Sequence, residues 1–425
     1  MSKLKKPWFI ALVLLLLFSI LPSAFADDNG QNKDKGLHHK RMELGIDVLL
    51  KDQLNLIKGK RVGLITNPTG VDGNFKSDVD LLFNNPNVNL TALYGPEHGV
   101  RGSEQAGGYV PYYIDDETGL PVYSLYGPTK KPTPDMLKNV DVLLFDIQDV
   151  GTRFYTYIYT MAYAMQAAAE NHIPFIVLDR PNPLGGDTVE GPVLEPKYSS
   201  FVGMYPIPLR HGMTVGELAK LFNKEFNIGA DLTVVEMKGW KRSMYFDDTT
   251  APWVLPSPNM PTLDTALVYP GAALIEGTNV SEGRGTTRPF ELIGAPFING
   301  LELANQLNGL NLPGVKFRSA SFEPTFSKFQ GELCNGIQIH VTDKEKYEPV
   351  LTGIAVVKAI HDLYPSDFQF RAENSQGISY FDQLIGNGWV RSDIENRVSL
   401  QDIQSKWQKG LEDFMKIREK YLIYN

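Results

Sequence analysis

The 425-residue sequence holds a single cysteine, Cys334, so no disulfide can close within the chain and no Cys/His combination has zinc-ligand spacing. That cysteine is expected to sit buried in a strand. Basic charge is also short: 41 Lys and Arg face 49 Asp and Glu, for a formal net charge of −8. Such a balance argues against general nucleic-acid binding and against adhesion to an anionic surface, both of which rely on basic patches. No Gly-x-Gly-x-x-Gly follows the first expected strand and no Lys-Ser/Thr closes a P-loop, so no nucleotide cofactor is called for. Gly-x-Ser-x-Gly and His-Glu-x-x-His are absent as well, which disfavours a serine hydrolase and a zinc peptidase. No internal repeat is visible.

The one long apolar run, Trp8 to Leu21, is shorter than the roughly 20 residues a membrane span needs. It follows Lys3, Lys5 and Lys6 and precedes Ala24-Phe25-Ala26, the order of a secretory signal peptide cleaved after residue 26. Cleavage removes three lysines and no acids, taking the charge from −8 to −11. No cysteine follows the run to carry a lipid anchor, so a secreted protein without a stable membrane anchor is expected. Residues 27–41 are polar and read as a flexible linker, with His38 and His39 as linker residues.

About 400 residues then remain, more than one hydrophobic core usually holds, so two domains are expected. From Gly45 helices and near-continuous apolar strands alternate: a helix to about Ile57, strand Arg61–Thr66, a helix through Val79, Leu81 and Leu82, and strand Val88–Tyr94. A helix over Pro134–Asn139, strand Val140–Asp146, helix Thr156–Asn171, strand Pro174–Asp179, helix Thr214–Phe226 and strand Leu232–Met237 continue the series. This order indicates an α/β fold with a mostly parallel sheet covered on both faces. Between Trp253 and Phe297 periodicity weakens among Pro, Gly and Thr. Beyond it the order becomes helix Leu301–Leu307, strands Val315–Phe322 and Gly336–Val341, and helices Val350–Leu363 and Leu400–Tyr421, a smaller α+β domain. The boundaries are set at 42–260 and 261–425.

Chemistry-bearing residues collect just past the strand ends, where open α/β sheets form their ligand crevice. The segment Leu93–Gly102 sets Glu97, His98 and Arg101 among glycines, and Glu97 is the first candidate for a catalytic acid. Gly99, Gly102, Gly107 and Gly108 let the backbone turn sharply there. Asn67 follows the first strand, Asp146, Gln148, Asp149 and Arg153 follow the third, and Asp179, Arg180 and Asn182 the fourth. Glu276, Asn279, Glu282, Arg284 and Arg288 crowd a Gly/Thr-rich stretch between the two domains, with Ser257-Pro-Asn259 upstream.

Two carboxylates flanking one site suit glycosidic bond cleavage, and Glu97 with Glu282 or Glu276 supplies them across the domain boundary. Tyr94, Tyr123, Tyr126, Tyr155, Tyr157, Tyr205 and Trp253 are of a type that stacks on sugar faces, although Tyr155, Tyr159 and Tyr163 also recur at the spacing of a helix core. Two other readings stay open: a non-catalytic binding protein that uses the same cleft, and a metal-dependent hydrolase using Asp146, Asp149 and His98.

Gly63–Gly70, Gly95–Gly102, Asp146–Tyr157, Asp179–Pro183 and Glu276–Thr286 together resemble the NamZ-type exo-β-N-acetylmuramidases, long catalogued as a domain of unknown function. The resemblance runs along nearly the whole chain after the leader. It implies a Rossmann-like domain joined to a smaller domain, with the active site in the cleft between them. It also implies removal of terminal N-acetylmuramic acid from non-reducing ends of peptidoglycan fragments, after other cell-wall hydrolases and amidases have trimmed them. Glu97 carries over as the acid, and Glu282, by position, as the second carboxylate. Asn67, His98, Arg101, Asp146, Gln148, Asp149, Arg153, Tyr155, Asn279 and Arg284 are the expected substrate-binding residues, with no metal and no cofactor. Arg101, Arg153 or Arg284 is expected to pair with the lactyl carboxylate of muramic acid, since a guanidinium fork matches a carboxylate.

Overall fold

A computed structural model of the protein describes residues 42–102, 104–105 and 107–425. The expected signal peptide and linker therefore lie outside the described residues. Among those described, no helix is long and apolar enough to cross a membrane.

The first half of the chain runs α1 (Gly45–Asp52), β1 (Arg61–Thr66), α2 (Asp78–Phe83), β2 (Asn89–Gly95), β3 (Tyr113–Ile114), β4 (Pro121–Ser124), α3 (Pro134–Leu137), β5 (Val142–Asp146), α4 (Tyr157–Glu170) and β6 (Phe175–Leu178). It continues through β7 (Glu190–Val193), β8 (Pro208–Arg210), α5 (Val215–Glu225) and β9 (Leu232–Val235). Seven strands form one sheet in the order β3-β4-β2-β1-β5-β6-β9, parallel except at the β3–β4 edge. The pleat divides each strand between two hydrophobic clusters. Leu143 and Phe145 of β5 pack on the side of α4 and α5, while Val142 and Leu144 pack on the side of α1 and α2. Burial on both sides explains why these strands read as unbroken apolar runs rather than as alternations.

Then come α6 (Leu263–Ala272), β10 (Leu292–Ala295), α7 (Gly300–Gly309), β11 (Val315–Phe322), β12 (Cys334–Val341), α8 (Pro349–Leu363), α9 (Tyr380–Ile385), α10 (Trp389–Glu395) and α11 (Leu400–Arg418). A three-stranded antiparallel sheet, β10-β12-β11, anchors this second domain, and Cys334 opens β12 fully buried. The stretch around residue 265 that lacked periodicity holds α6. Its residues from Thr265 to Ala272 are all buried, so it has no polar face to give a 3.6-residue period. It crosses α8 so closely that a Cβ on Gly353 would stand 2.3 Å from the carbonyl oxygen of Gly271. The described residues from Met42 onward belong to one compact unit, and a single apolar cluster runs from Ile65 in β1 to Tyr421.

The final residues return to the first sheet. The Tyr424 hydroxyl donates to Asp179 just after β6 (2.6 Å) and accepts from Met237 N (2.9 Å), and its ring meets Trp240 edge-on. Arg242 N in turn donates to the carbonyl of Asn425.

At the start of β7, Glu190 is buried, with one oxygen accepting from Leu351 N (2.8 Å) and the other without a partner. Burial pushes its carboxyl up to about 7. A pKa raised on folding gives a contribution that is complete below the unfolded value and is lost as pH rises through the folded one. Wild type should therefore lose stability relative to Glu190→Gln between about pH 5 and about pH 8. Urea midpoints of both proteins at those two pH values check this, and a constant difference would contradict it.

Candidate functional site

β2 ends at Gly95, and the chain then turns through Pro96 and Glu97 into His98 and Gly99, which have φ of 72° and 75°. Positive φ at His98 is uncommon and throws the backbone back on itself directly after Glu97. Glu97 is half-buried. One of its oxygens accepts from Gly107 N (2.9 Å) and the other from the Thr156 hydroxyl at the start of α4 (3.3 Å). No cation lies within ion-pair distance of it among the described residues. Burial and the Glu97 charge together push the neighbouring Tyr126 hydroxyl up to about 12.

Glu97 faces a cavity of about 1100 Å³ whose walls come from both domains. In the same cavity Glu276 and Glu282 share Arg284. Its Nη2 is 2.5 Å from Glu276 Oε1, and its Nε lies 3.3 Å from Glu282 Oε1. Lys328 Nζ lies 3.1 Å from the other oxygen of Glu282 and donates to the carbonyls of Ile275 and Val280. Burial raises the Glu276 carboxyl despite Arg284 beside it. Tyr380 lines the cavity within electrostatic reach of both Glu276 and Glu97. Burial raises its hydroxyl first, and the charges of Glu276 and Glu97 both add to the rise.

Of the expected site residues, Glu97, His98, Tyr155, Asn279, Glu282 and Arg284 line this cavity, as does Glu276. Asn279 does so while its side chain bonds Asp367 O and Gln369 N, pinning one wall loop to another. His98 turns Nδ1 to the Glu104 carbonyl (2.7 Å). The aromatic residues divide too. Tyr126, Tyr155 and Tyr157 line the cavity, whereas Tyr94 donates to Met136 O, Tyr205 stacks on Phe226 and Trp253 packs on Phe246.

Six expected binding residues lie elsewhere. Asn67 closes its own turn by accepting from Thr69 N and Oγ1. Arg101 forks onto Asp115 (2.9 and 3.0 Å) and reaches Glu117. Asp146 is buried against Arg180 Nε (2.5 Å), beside Asp78 and Thr66. Gln148 donates to the carbonyls of Asp149 and Pro181, and Asp149 accepts from Gly151 N with His211 at 3.4 Å. Arg153, also buried, gives its guanidinium to the carbonyls of Pro192, Ile207 and Leu384. The polar ends of β5 and β6 thus fill their part of the crevice with bonds to each other. Asp146, Asp149 and His98 do not meet, and no group of three or more potential metal ligands occurs among the described residues.

Lys328, Arg371 and Tyr380 line the cavity without having been expected. They sit singly in segments with no glycine-rich or charged motif. The only local signal is aromatic flanking, Phe326-Ser-Lys-Phe329 and Phe368-Gln-Phe-Arg371.

Comparison with known proteins accords with this architecture. Residues 62–264 match the family described as exo-beta-N-acetylmuramidase NamZ, N-terminal, and residues 267–424 match its C-terminal counterpart. The peptidoglycan beta-N-acetylmuramidase NamZ of Bacillus subtilis (strain 168) is 62% identical over 421 residues, covering 99% of this chain and all of the relative. Crystal structures of two DUF1343 family proteins from Bacteroides fragilis superpose with TM-scores of 0.84 and 0.73, at 43% and 33% identity. They cover 91% and 90% of this chain and 99% of each of theirs. With both halves of the chain matched and a relative this similar along its full length, the protein belongs to the NamZ exo-β-N-acetylmuramidase family.

Proposed function

We propose that this protein is a secreted glycoside hydrolase that removes terminal β-N-acetylmuramic acid from the non-reducing ends of peptidoglycan fragments. The observation that carries the reading is the contrast within one cavity: Glu97 has no cationic partner among the described residues, while Glu276 and Glu282 are paired with Arg284 and Lys328. In this reading Glu97 gives its proton to the bridging oxygen as the bond from that oxygen to the anomeric carbon breaks. Glu282 faces the positive charge that develops on the sugar. Water supplies the hydroxyl that ends on the anomeric carbon, and its remaining proton restores Glu97. Support for the substrate comes from the name of the Bacillus subtilis relative, a peptidoglycan beta-N-acetylmuramidase. Support for secretion comes from the lysines, apolar run and Ala-Phe-Ala of residues 1–26. The acidic balance of the chain suits work on released fragments, downstream of other wall hydrolases and amidases.

A chromogenic β-N-acetylmuramide assayed beside its N-acetylglucosaminide tests the proposal. Wild type should release the chromophore from the muramide alone, with and without chelator. Glu282→Gln should slow release by about 10²-fold or more, the scale of losing one charge-stabilising group. Folded wild-type protein that leaves the muramide intact would refute the assignment.

A further inference from the structure

Besides His98, three carboxyl groups and three Arg or Lys side chains line the cavity: Glu97, Glu276 and Glu282 against Arg284, Lys328 and Arg371. Two of the bases are committed. Arg284 serves Glu276 and Glu282, and Lys328 directs its ammonium at two carbonyls and at Glu282. Arg371 forms no ion pair with any described residue. Its guanidinium lies over the ring of Tyr380, 5.1 Å from the centroid, and stacking of this kind leaves the in-plane N–H donors free.

The backbone around Arg371 is held firmly for a residue whose side chain is so little engaged. Arg371 N donates to Gly277 O (2.8 Å), and Asn279 N to Gln369 O (2.9 Å). The Asn279 side chain adds its two bonds to residues 367 and 369. Four hydrogen bonds therefore fix the 367–371 backbone against the 276–282 segment that carries Glu276 and Glu282. The positive charge also reaches Lys328, whose ammonium is lowered first by burial and in part by Arg371. With Arg284 and Lys328 engaged by Glu276 and Glu282, Arg371 is left as a cavity cation without a carboxylate partner among the described residues.

We infer that Arg371 is the specificity-determining residue that receives the lactyl carboxylate of the N-acetylmuramic acid substrate in a forked, two-bond contact. The inference rests on the substrate class proposed above. It replaces the expectation that Arg101, Arg153 or Arg284 does this, because the first two stand outside the cavity and the third is occupied by glutamates. It assigns Arg371 to substrate preference and Asn279 to positioning it. It predicts selection against sugars whose lactyl group is absent or amidated, since a neutral group leaves the guanidinium without its counter-charge.

Two chromogenic β-N-acetylmuramides, one with the free lactyl acid and one with its methylamide, distinguish the outcomes in wild type, Arg371→Gln and Arg371→Lys. Wild type should prefer the acid. Arg371→Gln should lose about 10- to 100-fold in kcat/KM on the acid, mainly through KM, and change little on the amide. Arg371→Lys should recover part of the preference, because it keeps the charge and loses the fork. Thermal midpoints of all three should agree, as the side chain is exposed. Arg371→Gln that keeps the wild-type preference for the acid overturns the assignment while leaving the hydrolase intact. Calorimetric binding of N-acetylmuramic acid gives a readout independent of turnover. A wild type without hydrolytic activity that binds the sugar, and loses it on Arg371→Gln, overturns the hydrolase reading and upholds Arg371. Equal binding by wild type and Arg371→Gln overturns Arg371.

Discussion

Replacing Glu97 with Gln should lower kcat on a β-N-acetylmuramide by about 10²–10⁴-fold, the range attributed to a positioned general acid. Glutamine has the same shape and keeps an oxygen for Gly107 N, so the turn and KM should change little. The decisive test varies the leaving group. A nitrophenolate departs with little help from a proton, whereas an alkoxide such as a sugar needs it. The deficit of Glu97→Gln should therefore be smallest on a nitrophenyl muramide and largest on a muramyl disaccharide. A deficit of the same size on both would remove Glu97 from the acid role, and full activity would remove it from the site.

Arg180→Met should destabilise the fold by about 3–5 kcal/mol, the cost of leaving a buried carboxylate without its cation. Arg180 bonds Asp146 at 2.5 Å and Val71 O at 3.0 Å, with both charged side chains nearly inaccessible and Asp78 close by. Burial already raises the carboxyls of Asp78 and Asp146. Removing the guanidinium leaves two acids facing one another in a dry site. Adding Asp146→Asn should restore part of the loss, because the carboxylate stranded without its cation is gone. Urea unfolding of the two single variants and the double variant measures the coupling. Costs that simply add would show that the pair does not act as a unit.

The same network shows how far the sequence could be read. Arg61–Thr66 and Val315–Phe322 appear as strands over the expected residues, because apolar runs between turn signals leave few alternatives. Helix α6 was not visible, since a helix buried on all sides carries no amphipathic stripe. The short pairs β3–β4 and β7–β8 and the helices α9 and α10 gave too few residues for any period to emerge. At the site, polar residues at strand ends were all read as facing the crevice. For Asp146, Gln148, Asp149 and Arg153 the chain itself fills that space, and residue type does not distinguish a group that waits for a ligand from one that already has a partner. Glu97 and Glu282 stood out because each is embedded in a dense run of Gly and charge. Lys328, Arg371 and Tyr380 meet at the cavity only through the folding of segments far apart in sequence.

Asp179 receives its Tyr424 hydroxyl from a residue 245 positions further along the chain. A ribosome adding about 5–20 residues per second reaches that tyrosine roughly 10 to 50 s after it has made the aspartate. Once β9 and Trp240 have been made, Trp240 still lacks its edge-on neighbour, and Asp179 has Thr214 Oγ1 and Gly216 N as donors but not the tyrosine. The nascent protein therefore cannot lock its earliest-made layer during elongation. This closure waits for residue 424, which leaves a window of roughly 10 to 50 s in which that part of the first sheet is open to chaperones.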